Sequence, residues 1–132
     1  MSQLEGRALE LFEAGANFVA LATEDAAGEP RLAVIWADAE DGLIAVNSAE
    51  GRHWPENIRR RPEVSLVVVN RENPYEYAEI RGRVVADTHE RADEHIDRLA
   101  KKYMGVDTYP GRREGEERVK FLIEPERVRL QG

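Results

Sequence analysis

The chain has 132 residues, the size of one domain, and its 42% hydrophobic and 34% charged residues are typical of a soluble globular protein. It contains no cysteine, which excludes disulfides and thiolate metal sites, and its net charge of −7 argues against a nucleic-acid partner. The apolar runs are too short to span a bilayer, and the N-terminal segment lacks a basic start followed by an apolar block. We therefore expect a cytoplasmic protein with no signal peptide and no membrane partner.

The first half of the chain predicts one helix followed by three strands. Four apolar residues recur at helical spacing near the start: Leu4, Ala8, Leu11 and Phe12. Ser2 is the expected N-cap of this helix and Gly15 its end. Strands are predicted at 17–23, 31–37 and 43–48, with the acidic segment DAEDG as a hairpin turn between the last two. Because no helix separates these strands, antiparallel pairing is expected.

The second half alternates between helices and strands. A short helix is expected from Pro55 to about Arg60, and the long segment from Thr88 to Met104 predicts a second helix. The strand at 63–70 is apolar on both faces and therefore central, and strands are also predicted at 77–87 and 118–130, the last bent or interrupted at Pro125. The fold class is therefore mainly β with peripheral α, a six-stranded antiparallel barrel with three helices packed outside.

Positive charge is concentrated in the segment Gly51–Pro62, GRHWPENIRRRP, within an otherwise acidic chain. Arg52 precedes a predicted helix start, where free N–H groups and the helix dipole attract an anion, and Asn57 in the first turn can donate a further hydrogen bond. This pattern predicts a phosphate site, toward which at least one of residues 59–61 should project. The alternative, that these arginines are solvated or pair with acidic groups, stays open, and Glu56 counts against the phosphate site.

Histidines and tryptophans are the remaining candidates for chemistry. His89 and His95 are six positions apart, whereas two metal ligands on one helix are usually three or four apart, so both are predicted to face solvent and no metal site is expected. Trp36 is expected in the core or a dimer interface. Trp54 could stack on a flat ring or close a pocket. No nucleophile–base motif or phosphate-binding loop is present, so catalytic residues stay unassigned and a bound cofactor could carry the chemistry.

Several segments in order carry a family resemblance: GEPRLAVIW, LIAVNSAEGRHWPENIRRRPEVSLVV, NPYEYAEIRGRV, HIDRLAKKYMGVDTYP and RVKFLIEPERV. Together they resemble the pyridoxamine 5'-phosphate oxidase-like, FMN-binding split β-barrel superfamily. The nearer likeness is to its deazaflavin (coenzyme F-420)-dependent oxidoreductase branch. The resemblance extends from about Phe18 to Leu130, nearly the whole chain.

The resemblance implies a single six-stranded split-barrel domain over residues 1–132 and a homodimer with two cofactor sites at the subunit interface. The flat ring of the cofactor would lie along the strand at 31–36 and the end of the next strand, and its tail would meet the family segment GRxKxRN, whose lysine is Trp54 here and whose second arginine is Glu56. The implied cofactor-binding residues are Arg31, Val34, Ile35, Trp36, Asn47, Ser48, Arg52, Trp54 and Asn57.

The function implied by the resemblance is that of a reductase. Reduced coenzyme F-420 bound at the dimer interface would pass a hydride to a small, conjugated organic substrate. One alternative keeps the fold and uses FMN, as an oxidase or flavin reductase. The other is a non-catalytic protein that binds a cofactor or a tetrapyrrole.

Overall fold

The computed structural model describes residues 3–132, which form seven strands and three helices; the predicted N-cap Ser2 lies outside these residues. The elements in chain order are α1 (Gly6–Glu13), β1 (Val19–Glu24), β2 (Pro30–Ile35), β3 (Ala37–Glu40), β4 (Leu43–Ala49), α2 (His53–Arg60), β5 (Glu63–Val69), β6 (Tyr77–Thr88), α3 (Ala92–Met104) and β7 (Arg118–Gln131). None of the helices within residues 3–132 has the length and apolar character needed to cross a membrane.

All strand pairs are antiparallel, and the strands lie in the order β2-β1-β5-β6-β7-β4-β3. Strands β2 and β3 stand at opposite ends of this order, although Trp36 alone separates them in the chain. The sheet must therefore curl until its two ends meet. The predicted strand at 31–37 is divided at Trp36 because its first part pairs with β1 and its last residue begins the pairing with β4. The prediction of six strands is one short for this reason.

The acidic segment DAEDG is only partly a turn. Asp38 and Glu40 belong to β3, and the turn itself is Asp41-Gly42, both with positive φ, as tight hairpin turns require. The prediction of a five-residue turn was wrong because residues 38–40 pair with β4, where the carboxylates of Asp38 and Glu40 form ion pairs. Asp38 pairs with a histidine of α3, and Glu40 pairs with Lys120 of β7 at 3.0 Å.

The hydrophobic core lies inside the curled sheet and beneath α1. The predicted apolar face of α1 is confirmed for Ala8, Leu11 and Phe12, which are buried, whereas Leu4 is also buried but precedes the helix. Strand β5 lies between β1 and β6 and buries Val64, Leu66 and Val68, which confirms its predicted interior position. Burial of these side chains supplies the main driving force for folding.

The long strands β6 and β7 pair over nearly their whole length, with a shift of register between Arg81 and Gly82. Strand β7 continues through Pro125 without interruption, and the irregular pairing lies beside the proline, which has no N–H to donate. A Cβ at Gly82 would stand 2.8 Å from the carbonyl oxygen of Glu124, so this close approach requires glycine.

All three predicted helix starts are shifted, and α1 begins at Gly6, with Glu5 as its N-cap. Helix α3 begins at Ala92 rather than Thr88, because Thr88 still belongs to β6 and Arg91 adopts the left-handed conformation (φ 59°). The hydroxyl of Thr88 accepts a hydrogen bond from the backbone N–H of Glu90 at 3.0 Å and so supports the turn before the helix. Helix α2 begins at His53, before the predicted first turn.

Candidate functional site

Residues 3–132 form an open cleft of about 950 Å³. Its walls come from β2, the end of β4 and the start of α2, with further residues from α3, the segment after α3 and the start of β7. All nine residues implied by the family resemblance line it: Arg31, Val34, Ile35, Trp36, Asn47, Ser48, Arg52, Trp54 and Asn57. The structure thus brings them together in one place, while their role in binding a cofactor stays a prediction.

Strand β2 forms an apolar wall at the edge of the sheet. Within residues 3–132 it pairs with β1 alone, and Leu32 and Val34 on one of its faces are 79% and 74% exposed. Arg31 is exposed and stands 3.7 Å from Asp25, a distance at which the ion pair is weak. An extended, solvent-facing row of apolar side chains suits a flat ring or a partner surface.

Aromatic rings close one end of the cleft. Trp36 is half-buried and stacks on Tyr103 of α3, with ring centroids 5.2 Å apart and planes 9° apart. Tyr109 approaches the indole edge-on at 6.0 Å. Burial raises the pKa of Tyr103 to about 12, so its hydroxyl keeps its proton; it donates to the backbone carbonyl of Asn17 at 2.5 Å and accepts from the backbone N–H of Ala37 at 3.2 Å. These contacts fix Trp36 as a rigid wall.

Two buried polar residues at the end of β4, Asn47 and Ser48, lie deeper in the cleft. The side-chain nitrogen of Asn47 donates to the carbonyl of Ala92 at 2.9 Å and lies 3.0 Å from Nδ1 of His95. Its side-chain oxygen accepts a hydrogen bond from Nε of Arg118 at 3.0 Å. These three contacts fix the direction of the amide, because its nitrogen and oxygen cannot be exchanged without losing them.

His95 is only 1% exposed, so the prediction that it faces solvent was wrong. It lies on the buried stripe of α3 and faces two polar residues of the sheet, Asp38 of β3 and Asn47 of β4. The helical spacing of α3 could not reveal these partners. Nε2 lies 2.9 Å from Oδ1 of Asp38, and Nδ1 lies 3.0 Å from the side-chain nitrogen of Asn47. Burial disfavours the charged form of Asp38, but His95 and Arg98 outweigh it and hold the pKa of this carboxyl below its usual value.

The start of α2 supplies the charged side of the cleft. Arg52 is half-exposed and precedes the helix, as predicted, and its nearest acidic group is Glu116 at 4.0 Å. Trp54 packs on the core residue Phe121, with centroids 5.6 Å apart, and also lines the cleft. Asn57 is buried, and its side-chain nitrogen donates to the hydroxyl of Thr23 at 3.1 Å.

The three consecutive arginines at the end of α2, Arg59, Arg60 and the C-cap Arg61, do not line the cleft, so the prediction that one would project toward the phosphate site was wrong. Arg59 contacts both oxygens of Glu50 at 2.8 Å, and Arg61 pairs with Glu24 at 2.8 Å. Arg60 reaches the backbone oxygen of Glu24 at 3.5 Å. Two of these arginines thus pair with acidic side chains, Glu50 and Glu24. Pairing with acidic groups is the alternative that the sequence left open.

One group within residues 3–132 has the composition of a metal site: Glu50, His89 and Glu117, with ligating atoms within 4.8 Å of one another. Arg59 already contacts both oxygens of Glu50, and its positive charge opposes a cation there. Arg59 and then His89 lower the pKa of Glu50 to about 2. An exposed ion-pair network accounts for the group.

Comparison with known proteins identifies the family. A family model described as Pyridoxamine 5'-phosphate oxidase matches residues 6–132. The chain belongs to the pyridoxamine 5'-phosphate oxidase family. This family is flavin-related and named for an oxidase, so membership supports an oxidoreductase. No curated protein matches the sequence.

Solved structures share the fold of this pyridoxamine 5'-phosphate oxidase family member. An F-420 reductase is 23% identical, with a TM-score of 0.81 over 95% of this chain and 98% of that one. A conserved hypothetical protein from Mycobacterium tuberculosis is 19% identical, with a TM-score of 0.70 over 98% and 86%. General Stress Protein 26 from Bacillus anthracis is 16% identical, with a TM-score of 0.65 over 93% and 90%. The curled antiparallel sheet is consistent with the split barrel that the resemblance implied.

Sequence reasoning missed several residues of this family member's cleft. Tyr109 and Arg118 line it, and Asp38 and His95 support Asn47 from behind. Arg118 had no distinct signal, since β7 also carries five other charged residues: Lys120, Glu124, Glu126, Arg127 and Arg129. Tyr109 lies in an irregular segment after α3, where periodicity carries no information.

Proposed function

We propose that this protein is an oxidoreductase that holds reduced coenzyme F-420 in the cleft and reduces a small, flat, conjugated organic substrate. The observation that carries the proposal is the composition of a single cavity. An exposed apolar strand, a stacked aromatic wall and an arginine at a helix start surround about 950 Å³, which is enough for a ring system and part of its tail.

The residues of the cleft fit the two chemical parts of such a cofactor. Val34 and Ile35 of β2 and the ring of Trp36 offer apolar surface for a flat ring. Arg52 and the first turn of α2 offer positive charge and backbone N–H groups to an anionic tail. When bound, a reduced deazaflavin supplies the hydride; the chain orients it, excludes water and places the acceptor beside it.

A second copy of the chain is part of the proposal. Leu32 and Val34 lie on an edge strand and are mostly exposed, although they border the proposed ring site. A large apolar patch at a sheet edge is a typical homodimer surface, and covering it would also exclude water from the cleft. We therefore propose that the functional site lies at the interface of a homodimer.

FMN is the second candidate cofactor, and the distribution of charge favours it. Of the four arginines between Gly51 and Pro62, Arg52 alone lines the cleft. This one arginine of the segment matches the single phosphate of FMN, whereas the tail of coenzyme F-420 carries a phosphate and several carboxylates and would also need Arg31 or Arg118, which line the cleft from other parts of the chain. Glu56 lies in the first turn of α2 and pairs with Arg59 at 3.1 Å. The segment therefore brings a negative charge to the helix start, where the family segment has an arginine.

Thermal unfolding with each cofactor tests the proposal and separates the candidates. A ligand at one hundred times its dissociation constant stabilises the folded state by about 2.7 kcal/mol. The proposal predicts stabilisation by coenzyme F-420 at lower concentrations than by FMN. The reverse order would favour the FMN alternative. No stabilisation by either ligand would contradict both and leave the non-catalytic alternatives, for which haem is the tetrapyrrole probe.

Enzymatic activity is tested in a single turnover without oxygen. The protein loaded with reduced coenzyme F-420 is mixed with flat conjugated acceptors, and the return of the oxidised deazaflavin absorbance is followed. We expect the rate to exceed that of free cofactor with at least one acceptor. Equal rates with and without protein across the acceptor panel would contradict a catalytic role.

A further inference from the structure

Besides Arg31 and Arg52, a third arginine reaches the cleft from a distant part of the chain. Arg118 begins β7 and is only 5% exposed, yet it lines the cavity. A guanidinium keeps its charge at all ordinary pH values, and burying a charge without full pairing is costly. A buried arginine beside a ligand-sized cavity therefore needs an explanation beyond stability.

The guanidinium of Arg118 is held in a fixed direction. Its Nε donates to Asn47 at 3.0 Å, and Asn47 is fixed in turn by the carbonyl of Ala92 and by His95. The guanidinium also lies over the ring of Tyr109, 5.2 Å from its centroid. Because these contacts use Nε and one face of the group, the two terminal nitrogens are left to meet something else.

One terminal nitrogen of Arg118 lacks a hydrogen bond among residues 3–132, although it forms an ion pair with Glu116. Nη1 of Arg118 is buried without a hydrogen bond, and so is Oε1 of Glu116, although the two atoms are 3.2 Å apart. The other carboxylate oxygen of Glu116 is 4.0 Å from Nη2 of Arg52, too far for a hydrogen bond. The side chain of Glu116 is 8% exposed, so water does not easily replace these missing bonds.

Glu116 thus stands between two arginines of the cleft and pairs poorly with both. A carboxylate has the charge and the planar oxygens of the group that two arginines bind well. We propose that Arg52 and Arg118 together form a subsite for a phosphate or carboxylate of the molecule bound in the cleft, and that Glu116 fills this subsite in the free protein. The proposal rests on the proposed function in taking the same cleft as the ligand site.

This arrangement makes Glu116 a competitor of the ligand. In the free protein the carboxylate of Glu116 occupies the space between the two arginines, and an incoming oxyanion must displace it before it binds. The apparent affinity is then lower than the intrinsic affinity by the fraction of molecules in which the subsite is open. Removing the negative charge of Glu116 should therefore strengthen ligand binding, whereas loss of a purely structural ion pair would weaken it or leave it unchanged.

The test compares Glu116→Gln with the neighbouring Glu117→Gln, which removes the same charge from an exposed carboxylate paired with His89. Each variant is titrated with FMN and with riboflavin, which has the same ring and no phosphate, and with coenzyme F-420 and its phosphate-free alcohol. We expect Glu116→Gln to bind the phosphorylated member of each pair roughly fivefold to tenfold more tightly than wild type, with little change for the phosphate-free member. Glu117→Gln should match wild type.

A second set of titrations identifies the source of the oxyanion. Wild type and Glu116→Gln, each saturated with a phosphate-free ring alcohol, are titrated with benzoate and with the neutral benzamide. If Glu116→Gln binds the phosphorylated cofactors more tightly than wild type does, the subsite belongs to the cofactor tail. If it binds only benzoate more tightly, the subsite belongs to a carboxylate of the substrate. No gain in either set would overturn the proposal.

Substitution of Arg118 should change the affinity for oxyanion ligands in the opposite direction. Arg118→Gln should weaken binding of the same oxyanion ligands about tenfold. Arg118→Lys keeps the charge and serves in its place if the glutamine variant does not fold.

If no flavin or deazaflavin binds the wild-type protein, the proposed function fails, but the subsite can still be tested: inorganic phosphate should raise the melting temperature of Glu116→Gln more than that of wild type. Equal shifts would then count against the subsite.

Discussion

Replacement of His95 by leucine is the sharpest test of the buried network behind the cleft. The substitution keeps an apolar side chain of similar size on α3 but removes the hydrogen bonds to Asp38 at 2.9 Å and to Asn47 at 3.0 Å. A hydrogen bond to a charged group contributes about 1.5–3 kcal/mol and a neutral one about 0.5–1.5 kcal/mol. Asp38 keeps Arg98, and Asn47 keeps its carbonyl partner. We therefore expect a loss of about 2–4 kcal/mol in the free energy of unfolding.

The matched control is His89→Leu, which removes a histidine that is half-exposed and pairs with Glu50 at 2.6 Å. Exposed ion pairs contribute about 0–1 kcal/mol, so a loss of at most about 1 kcal/mol is expected. Urea denaturation followed by circular dichroism at pH 7 measures both variants, with unchanged slopes required for a simple comparison. Equal losses in His95→Leu and His89→Leu would refute the buried network.

Three further predictions follow from the surface of the cleft and its charges. Arg52→Ala should weaken binding of coenzyme F-420 and FMN about tenfold in calorimetric titrations while leaving the urea midpoint unchanged, and an equal effect of the remote Arg127→Ala would contradict this. The pKa of Glu50 is lowered from 4.5 to about 2, so its contribution to stability is present above about pH 5 and fades as the pH falls toward 2. Urea midpoints should therefore fall more in wild type than in Glu50→Gln over that range, and parallel curves would show that the ion pair contributes nothing. Val34→Asp should convert a dimer into a folded monomer in light scattering, whereas a strictly monomeric wild type at micromolar concentration would argue against the interface.

The elements were predictable where local pattern decides them. The apolar face of α1 and the interior position of β5 follow from helical spacing and from a run of β-branched residues. The division of a strand at Trp36 was not predictable, because it depends on which neighbour each part pairs with. The start of α3 was also missed, since the left-handed Arg91 gives no sign in the sequence.

The candidate site was predictable through the family resemblance rather than through charge. Spacing placed Arg52 before a helix start and predicted that at least one of residues 59–61 would project the same way, but nearby carboxylates hold Arg59 and Arg61 outside the cleft. Arg118 is distant from this segment in sequence, and it reaches the cleft through the pairing of β7 with β4. The burial of His95 likewise depends on the polar part of the sheet that α3 covers.

The central claim is that the cleft holds the ring of a deazaflavin or flavin. A crystal structure of the protein with coenzyme F-420 at saturating concentration tests it most directly. We expect density for the ring along β2, between residues 34–36 and the end of β4 at Asn47 and Ser48. The phosphate of the tail should lie at Arg52. An empty cleft at saturation, or a ring bound at another surface, would contradict it.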